Sequence, residues 1–434
     1  MKFLMAFVTM ILLLGIKPVY AGLDIKELRT STGINFWLVE ERSLPFISLE
    51  IKFRGGASMD EHNSRGAINF MTALLEEGSG SLDAQSFSRE RDSIAASFEF
   101  DVGRDDVSVS SRFLSETKKK AITLLRDALT KPRFDLEAID RVRKQIVSVI
   151  ESNEKNPKKI ANSELFRLTF TDHIYSFDIF GDKEKIKNLS RDDLILAHKI
   201  SLNSDRASIA IVGDIGEKEA IEMLEELFRG IPKSSKALPL RAEAQFDLGV
   251  KVIKYPSPQS VVMFTLKGIE RTDKDFFEAY ILNHILGGGG FSSRLMREIR
   301  EKRGLTYSVN TSLAQYDHSE LYLGMFQSSN DKVASALDIL RSELSNMAIK
   351  GVTDEELQAA KKFLIGAYPL RFDGNVRIAK ILASMQFIGL KKDYIESRND
   401  KIEAIKSSDI ARVAKRLFSS KNFTIVIVGE PQGL

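Results

Sequence analysis

Hydrophobic and polar positions change period repeatedly along this 434-residue chain. Residues 34–39 and 47–53 are short apolar runs separated by Arg42-Ser43-Leu44-Pro45, a pattern that predicts two strands and a turn. After Gly55-Gly56 the spacing becomes helical. Ala67, Ile68, Phe70, Met71, Leu74 and Leu75 lie on one side of a predicted helix over 64–75, ended by Gly78-Ser79-Gly80. A short helix is predicted over 86–94, then a hairpin of 98–102 with 107–113 joined through Gly103-Arg104-Asp105-Asp106. Helical patterns follow at 116–129, 136–153, 160–170 and 192–201. A buried-strand run, 207–212, is closed by Gly213-Asp214, and a helix over 218–228 follows.

The pattern then starts again. Strands are predicted at 250–254 and 261–266, and a helix at 273–286 running into Gly287-Gly288-Gly289-Gly290. An amphipathic helix over 292–302 leads to strands at 307–313 and 321–326. Helices are predicted at 332–347, after a capping box of Thr353 and Glu356, and at 375–387, 394–404 and 409–418. A strand at 423–428, ended by Gly429-Glu430, closes the chain's pattern. The ends of the two halves match at a constant offset of 216 residues. Leu194, Ala197, Lys199, Ile209, Ile211, Val212 and Gly213 correspond to Ile410, Val413, Lys415, Ile425, Ile427, Val428 and Gly429. The stretch 234–247 has mixed charge, Pro239 and no clean period, and serves as the linker. The expected architecture is α+β: two similar domains, 22–233 and 248–434, each a mostly antiparallel sheet with helices on one face. Two such halves facing each other would enclose a groove or chamber.

Composition narrows the class. Hydrophobic residues make up 43%, enough for sizeable cores. The formal net charge is +3, of which Lys2 and Lys17 lie in the first 21 residues, so the remainder is close to neutral. That balance gives no reason to invoke nucleic acid or an anionic membrane. Lys2, the apolar run 3–16 and Val19-Tyr20-Ala21 form a secretory leader with cleavage expected after Ala21; an uncleaved anchor is the competing reading. The absence of cysteine removes disulfides and thiolate metal sites. Export without cysteine suggests a bacterial periplasm. The five histidines, His62, His173, His198, His284 and His318, nowhere pair at one-turn spacing, so they read as isolated residues and not as ligands.

The segment SSRLMREIREKRGLTYSV at 292–309, the repeat, FRGGASMDE before the first helix and DHIYSFDIFGD at 172–182 together resemble the pitrilysin/insulinase-type zinc peptidases, the inverted zincins. That family includes processing peptidases and bacterial two-subunit peptidases. Its zinc site is H-x-x-E-H on the first helix of the first half, with a glutamate from a later helix as third ligand. Here Gly66–Leu75 keeps the frame of that helix, but Asn69 and Ala73 stand in the histidine places and Thr72 in that of the glutamate. Val149, spaced from Pro157 as the family's third ligand is from its proline, stands in the last ligand place. Alanine and valine cannot ligate, and asparagine is a poor zinc ligand.

The resemblance also implies roles for what remains. Arg300 and Tyr307 have the family's seven-residue spacing for an arginine and tyrosine that reach the substrate backbone and the developing oxyanion. A solvated helix charge and a half-buried strand tyrosine are the alternatives. The four glycines, Gly287 to Gly290, correspond to a loop that touches substrate in the family, and a plain helix–helix turn is the competing reading. No Gly-Lys-Ser/Thr follows them, which argues against a phosphate loop. The expected function is therefore a non-zinc-binding subunit of an exported two-subunit zinc endopeptidase, acting on peptides. Zinc would sit in a homologous partner carrying H-x-x-E-H, forming a heterodimer, and none on this chain. The alternative is a catalytically inert peptide-binding or scaffold protein of the same fold.

Overall fold

The structure is a computed structural model describing residues 23–419 and 423–434. The leader and cleavage point expected from the sequence lie outside the described residues. None of the described helices is long and apolar enough to cross a membrane.

The first sheet is built on β3 (Phe46–Arg54), a nine-residue strand buried along most of its length. With β1 (Lys26–Arg29), β2 (Asn35–Glu40), β6 (Ser97–Val102), β7 (Asp106–Leu114) and β8 (Ala207–Gly213) it forms the order β1-β2-β8-β3-β7-β6. A two-residue pair, β4 (Gly78–Ser79) and β5 (Leu82–Asp83), stands apart. The second sheet has the order β11-β12-β10-β13-β9, from β9 (Val250–Lys254), β10 (Gln259–Lys267), β11 (Val309–Tyr316), β12 (Ser319–Ser329) and β13 (Thr424–Gly429).

Five of the six strands of the first sheet repeat the second; β1 has no counterpart. β6-β7-β3-β8-β2 and β11-β12-β10-β13-β9 share the same order and the same directions. The parallel contacts, β2 with β8 and β13 with β9, fall at the same place in each. The glycines that close β8 and β13 occupy equivalent positions for the same reason. A Cβ on Gly213 would lie 2.3 Å from the Phe46 carbonyl oxygen, and one on Gly429 would lie 2.2 Å from Ser260 Oγ.

Each sheet carries its own half's helices on one face. Ile47, Leu49, Ile51 and Phe53 of β3 pack with Ile68, Phe70 and Met71 of helix Ala67–Ala73 in the first core. Val262, Phe264 and Leu266 of β10 pack with Leu337, Leu340 and Leu344 of helix Val333–Lys350 in the second. The opposite faces are covered by exchange. Helix Asn375–Phe387 of the second half lays Ile378, Ala379, Leu382 and Ala383 against Trp37, Val39, Ala210 and Val212 of the first sheet. Helix Pro157–Thr169 of the first half lays Ala161 and Leu165 against Val261, Met263, Val426 and Val428 of the second. Each half thus keeps its own helices on one face of its sheet, as expected, and the other face is covered by a helix lent by the other half.

Polar contacts lock the exchange. Gln386 donates to the Ile209 carbonyl at 2.7 Å, and Arg54 pairs with Asp317 and stacks on Phe387 at 4.0 Å. Tyr175 donates to Asp105, whose other oxygen accepts the Asp317 amide at 3.0 Å. Burial lifts the Asp105 carboxyl above the usual range. The halves of one chain are therefore joined through shared layers, and a groove of about 550 Å³ remains between them, lined by Arg54, Arg104 and Asp105 from one side and Glu270, Tyr316 and Phe387 from the other.

Candidate functional site

The region around the four glycines takes its shape from close packing. Helix Phe276–Asn283 loosens into a wider π-type turn over His284–Gly288. Gly287 lies on β11: a Cβ there would come within 2.5 Å of Thr311 Oγ1. Thr311 in turn donates to Asn283 Oδ1 at 2.8 Å and accepts from Tyr322 Oη at 3.0 Å, fixing the helix end on the sheet. A Cβ on Gly288 would meet Asn283 Nδ2 at 2.5 Å, and one on Gly289 would meet the His284 carbonyl oxygen at 2.7 Å. Gly290 has φ +61° and open space around it, so it is there for its left-handed backbone. Packing and conformation account for all four, while Gly288 and Gly290 remain exposed.

The expected helix over 292–302 is a short turn followed by a second π-type turn, Met296–Glu301. Its ladder ends where the Gly304 amide bonds the Arg300 carbonyl at 2.8 Å and the Leu305 amide that of Ile299 at 2.9 Å. Arg300 and Tyr307 are brought together. The guanidinium carbon lies 5.4 Å from the Tyr307 ring centroid and 4.6 Å from that of Phe291. Phe291 is 67% exposed and Tyr307 83%. Arg300 makes no ion pair among the described residues. Such a cation–ring contact at an exposed site is worth roughly 0.5–1 kcal/mol, enough to orient the side chain without consuming its charge. Tyr307 precedes β11 and is not in it, because Thr306 is pulled inward by its bond to the Gln327 carbonyl at 2.6 Å. The half-buried strand tyrosine is thereby corrected. Phe291 was not singled out in the sequence; its signal was an aromatic directly after the glycines.

This segment is tied down from behind. Arg294 engages Glu356 through two nitrogens, Nε to Oε1 at 2.6 Å, and donates to the Gly351 carbonyl at 3.0 Å. Glu356 also accepts the Thr353 amide at 3.0 Å, completing the capping box of helix Asp354–Gly366. Glu298 collects Lys302, Arg303 and Arg297, and these hydrogen bonds, Lys302 first, hold its carboxyl down to about 2.

The first-half site is organised differently. Asp60 caps helix Ala67–Ala73 by accepting the Gly66 and Ile68 amides at 2.7 and 3.0 Å. Burial outweighs those bonds and pushes its carboxyl up to about 7. On this helix Thr72 donates back to the Ile68 carbonyl at 2.7 Å, Asn69 is nearly enclosed, and Ala73 is exposed. Val149 is an exposed residue of helix Leu136–Asn153. Two of the four family zinc positions have no donor atom, and a third spends its hydroxyl on its own helix. No group of three or more His, Asp or Glu side chains able to hold a metal occurs among the described residues. The donor set does not suit zinc. His62 pairs with Arg65, His173 with the Leu240 carbonyl and His198 with the Leu129 carbonyl, His284 stacks on Phe363, and the rings of His173 and His318 lie 5.6 Å apart, both against Tyr175.

Comparison with known proteins returns one family over both halves. Residues 37–183 match the model described as insulinase (peptidase family M16), and residues 188–364 the model described as peptidase M16 inactive domain. The chain is 26% identical over 390 residues to the non-peptidase homolog YmxG of Helicobacter pylori, covering 90% of each. It is 23% identical over 390 residues to the mitochondrial-processing peptidase subunit beta of Saccharomyces cerevisiae, covering 86% of this chain and 84% of that one. Among solved structures, a peptidase M16 inactive domain from Pseudomonas fluorescens superimposes with a TM-score of 0.88 at 26% identity, over 95% and 98% of the two chains.

Proposed function

Since the chain belongs to the M16 insulinase-type peptidase family but carries no donor set for zinc, we propose that it is the non-catalytic subunit of an exported two-subunit zinc endopeptidase. A homologous partner supplies H-x-x-E-H, and this chain supplies Arg300 and Tyr307. The observation that carries the reading is the Arg300 clamp. A guanidinium held between two largely exposed rings, on a braced segment and without a carboxylate partner, is a donor kept free for something outside the chain. Preoriented cationic and hydroxyl donors of this kind stabilise an oxyanion that develops during acyl transfer. The names of the two relatives support the same division of labour: one is called a non-peptidase homolog, the other a subunit of a processing peptidase.

The test is reconstitution. The mature chain is co-expressed with a homologous H-x-x-E-H subunit and assayed on unstructured peptides. The chain alone is expected to bind no stoichiometric zinc and to cleave nothing. In the assembled enzyme, Arg300→Ala and Tyr307→Phe are each expected to lower kcat by roughly tenfold or more. Assembly with full activity in both variants would favour the inert scaffold instead.

A further inference from the structure

A groove of about 980 Å³ lies away from the Arg300 clamp, between the 367–374 connection, helix Phe276–Asn283, β11 and the start of helix Asn375–Phe387. One wall is aromatic. Phe276 and Tyr280 stack at 6.4 Å, and Tyr368 meets Phe372 edge-on at 5.3 Å. Its charge is one-sided: five basic side chains and one acid, Asp373, line it. Lys380 is spent on Glu99, and Arg398 on the Leu364 carbonyl. Arg271, Arg371 and Arg377 make no ion pair among the described residues.

At one end the helix Asn375–Phe387 opens into the groove with Gly374 as its cap, no side-chain cap bond and no acid in its first turn. Its counterpart in the first half, Pro157–Thr169, is capped by Asn156 through the Lys158 and Lys159 amides. A second observation singles out the same spot. Asn375 lines the groove, is only 6% exposed, and its amide nitrogen is buried with no partner. A buried donor left without an acceptor is costly, and a turn of the Asn375 side chain presents it to an acceptor seated in the groove. Free helix amides, an orphaned amide and two unpaired arginines together describe an anion seat.

We propose that this groove binds the C-terminal end of an apolar peptide, with the terminal carboxylate at the start of helix Asn375–Phe387 beside Asn375, Arg371 and Arg377. The adjoining side chains lie along the aromatic wall. A peptide suits the groove better than a simple acyl chain. The hydroxyls of Tyr280, Tyr368, Tyr394 and Ser384 have no hydrogen-bond partner among the described residues, and an amide backbone satisfies them where an alkyl chain does not. Burial raises the Tyr368 hydroxyl to about 12, so it stays a donor at neutral pH. The groove's volume is at the upper end of ligand pockets, roughly 300–1,000 Å³. The inference stands independently of whether Arg300 and Tyr307 serve a partner subunit.

The experiment is calorimetric titration of the whole mature chain with acetyl-Ala-Leu-Phe-Leu-Phe as the free acid, as the C-terminal amide, and with decanoate. The free acid is expected to bind at least tenfold more tightly than the amide. The double variant Arg371→Ala/Arg377→Ala is expected to erase that preference. Asn375→Ala is expected to weaken the acid severalfold while leaving the melting temperature unchanged or higher, since it removes an unmet donor; a purely structural asparagine would lower it. Absence of binding by the free acid, or equal affinity for acid and amide, overturns the carboxylate seat. Decanoate binding as tightly as the peptide overturns the peptide assignment.

Discussion

Leu382→Ala probes the exchange of helices directly. Leu382 belongs to the second half by sequence but is fully buried among Trp37, Val39, Ala210 and Val212 of the first sheet. Truncating a buried leucine costs the lost transfer energy plus the cavity, about 2–5 kcal/mol; with sheet on one side and no exposed edge, about 3 kcal/mol is reasonable here. For a chain of this size the unfolding entropy is on the order of 0.8 kcal/mol per kelvin, so the melting temperature should fall by about 3–4 °C. The location of the loss is more informative than its size. Hydrogen exchange should accelerate in β2 and β8, more than 160 residues away in sequence, as well as in the helix itself. Leu165→Ala should act reciprocally on β10 and β13. If exchange in Leu382→Ala rises only within the second half while β2 and β8 keep full protection, the exchanged helix is not what closes that face.

Three other outcomes follow from local geometry. Gly324 sits opposite Phe264 in the β10–β12 register, and a Cβ there would be 2.0 Å from the ring, so Gly324→Ala should cost about 1–3 kcal/mol in a denaturant melt; adding Phe264→Leu should recover part of it. Asp60 titrates near 7 in the folded chain against an ordinary value of 3.8, so the folded state binds the extra proton between those limits. Its share of stability is therefore full below about pH 4 and lost as pH rises through about 7, at no more than about 1.4 kcal/mol per unit, and Asp60→Asn should flatten that slope. A wild-type stability that instead rises from pH 4 to 7 with a slope Asp60→Asn leaves unchanged would contradict the assignment. Arg294→Ala removes the brace behind the Arg300 segment, so amide exchange over 290–308 should quicken while β3 and β7 are unaffected; unchanged exchange there would show that the segment is held by other contacts.

The sequence carried the element order well because its cues are local. Helices Leu136–Asn153, Asn375–Phe387 and Tyr394–Ala404 begin and end where the pattern put them, and Thr353 and Glu356 form the capping box. The repeat was visible because β8 and β13 hold equivalent places in their sheets, so a glycine is needed at the end of each. What escaped was set by tertiary context. β1, Lys-Glu-Leu-Arg, has no apolar alternation and exists only because β2 offers a free edge. The helix over 273–286 stops at Asn283 because the chain descends onto Thr311, a contact no periodicity announces. The pairing of Arg300 with Tyr307 was legible only through the family resemblance, whose arginine and tyrosine stand seven residues apart, and the second ring, Phe291, depends on a fold-back at Gly290. The groove around Asn375 left no motif, because its walls come from four separate stretches of chain.

The exchanged helix has a consequence in time as well as in space. β8 is complete at Gly213, but the helix that covers its outer face ends at Phe387. At synthesis rates of about 5–20 residues per second, the ribosome needs roughly 10–35 s to make the intervening chain. Throughout that interval the Trp37, Val39, Ala210 and Val212 face has no cover. A nascent first half therefore cannot bury that face on its own, and it stays available to holdase chaperones until the last fifth of the chain is being made.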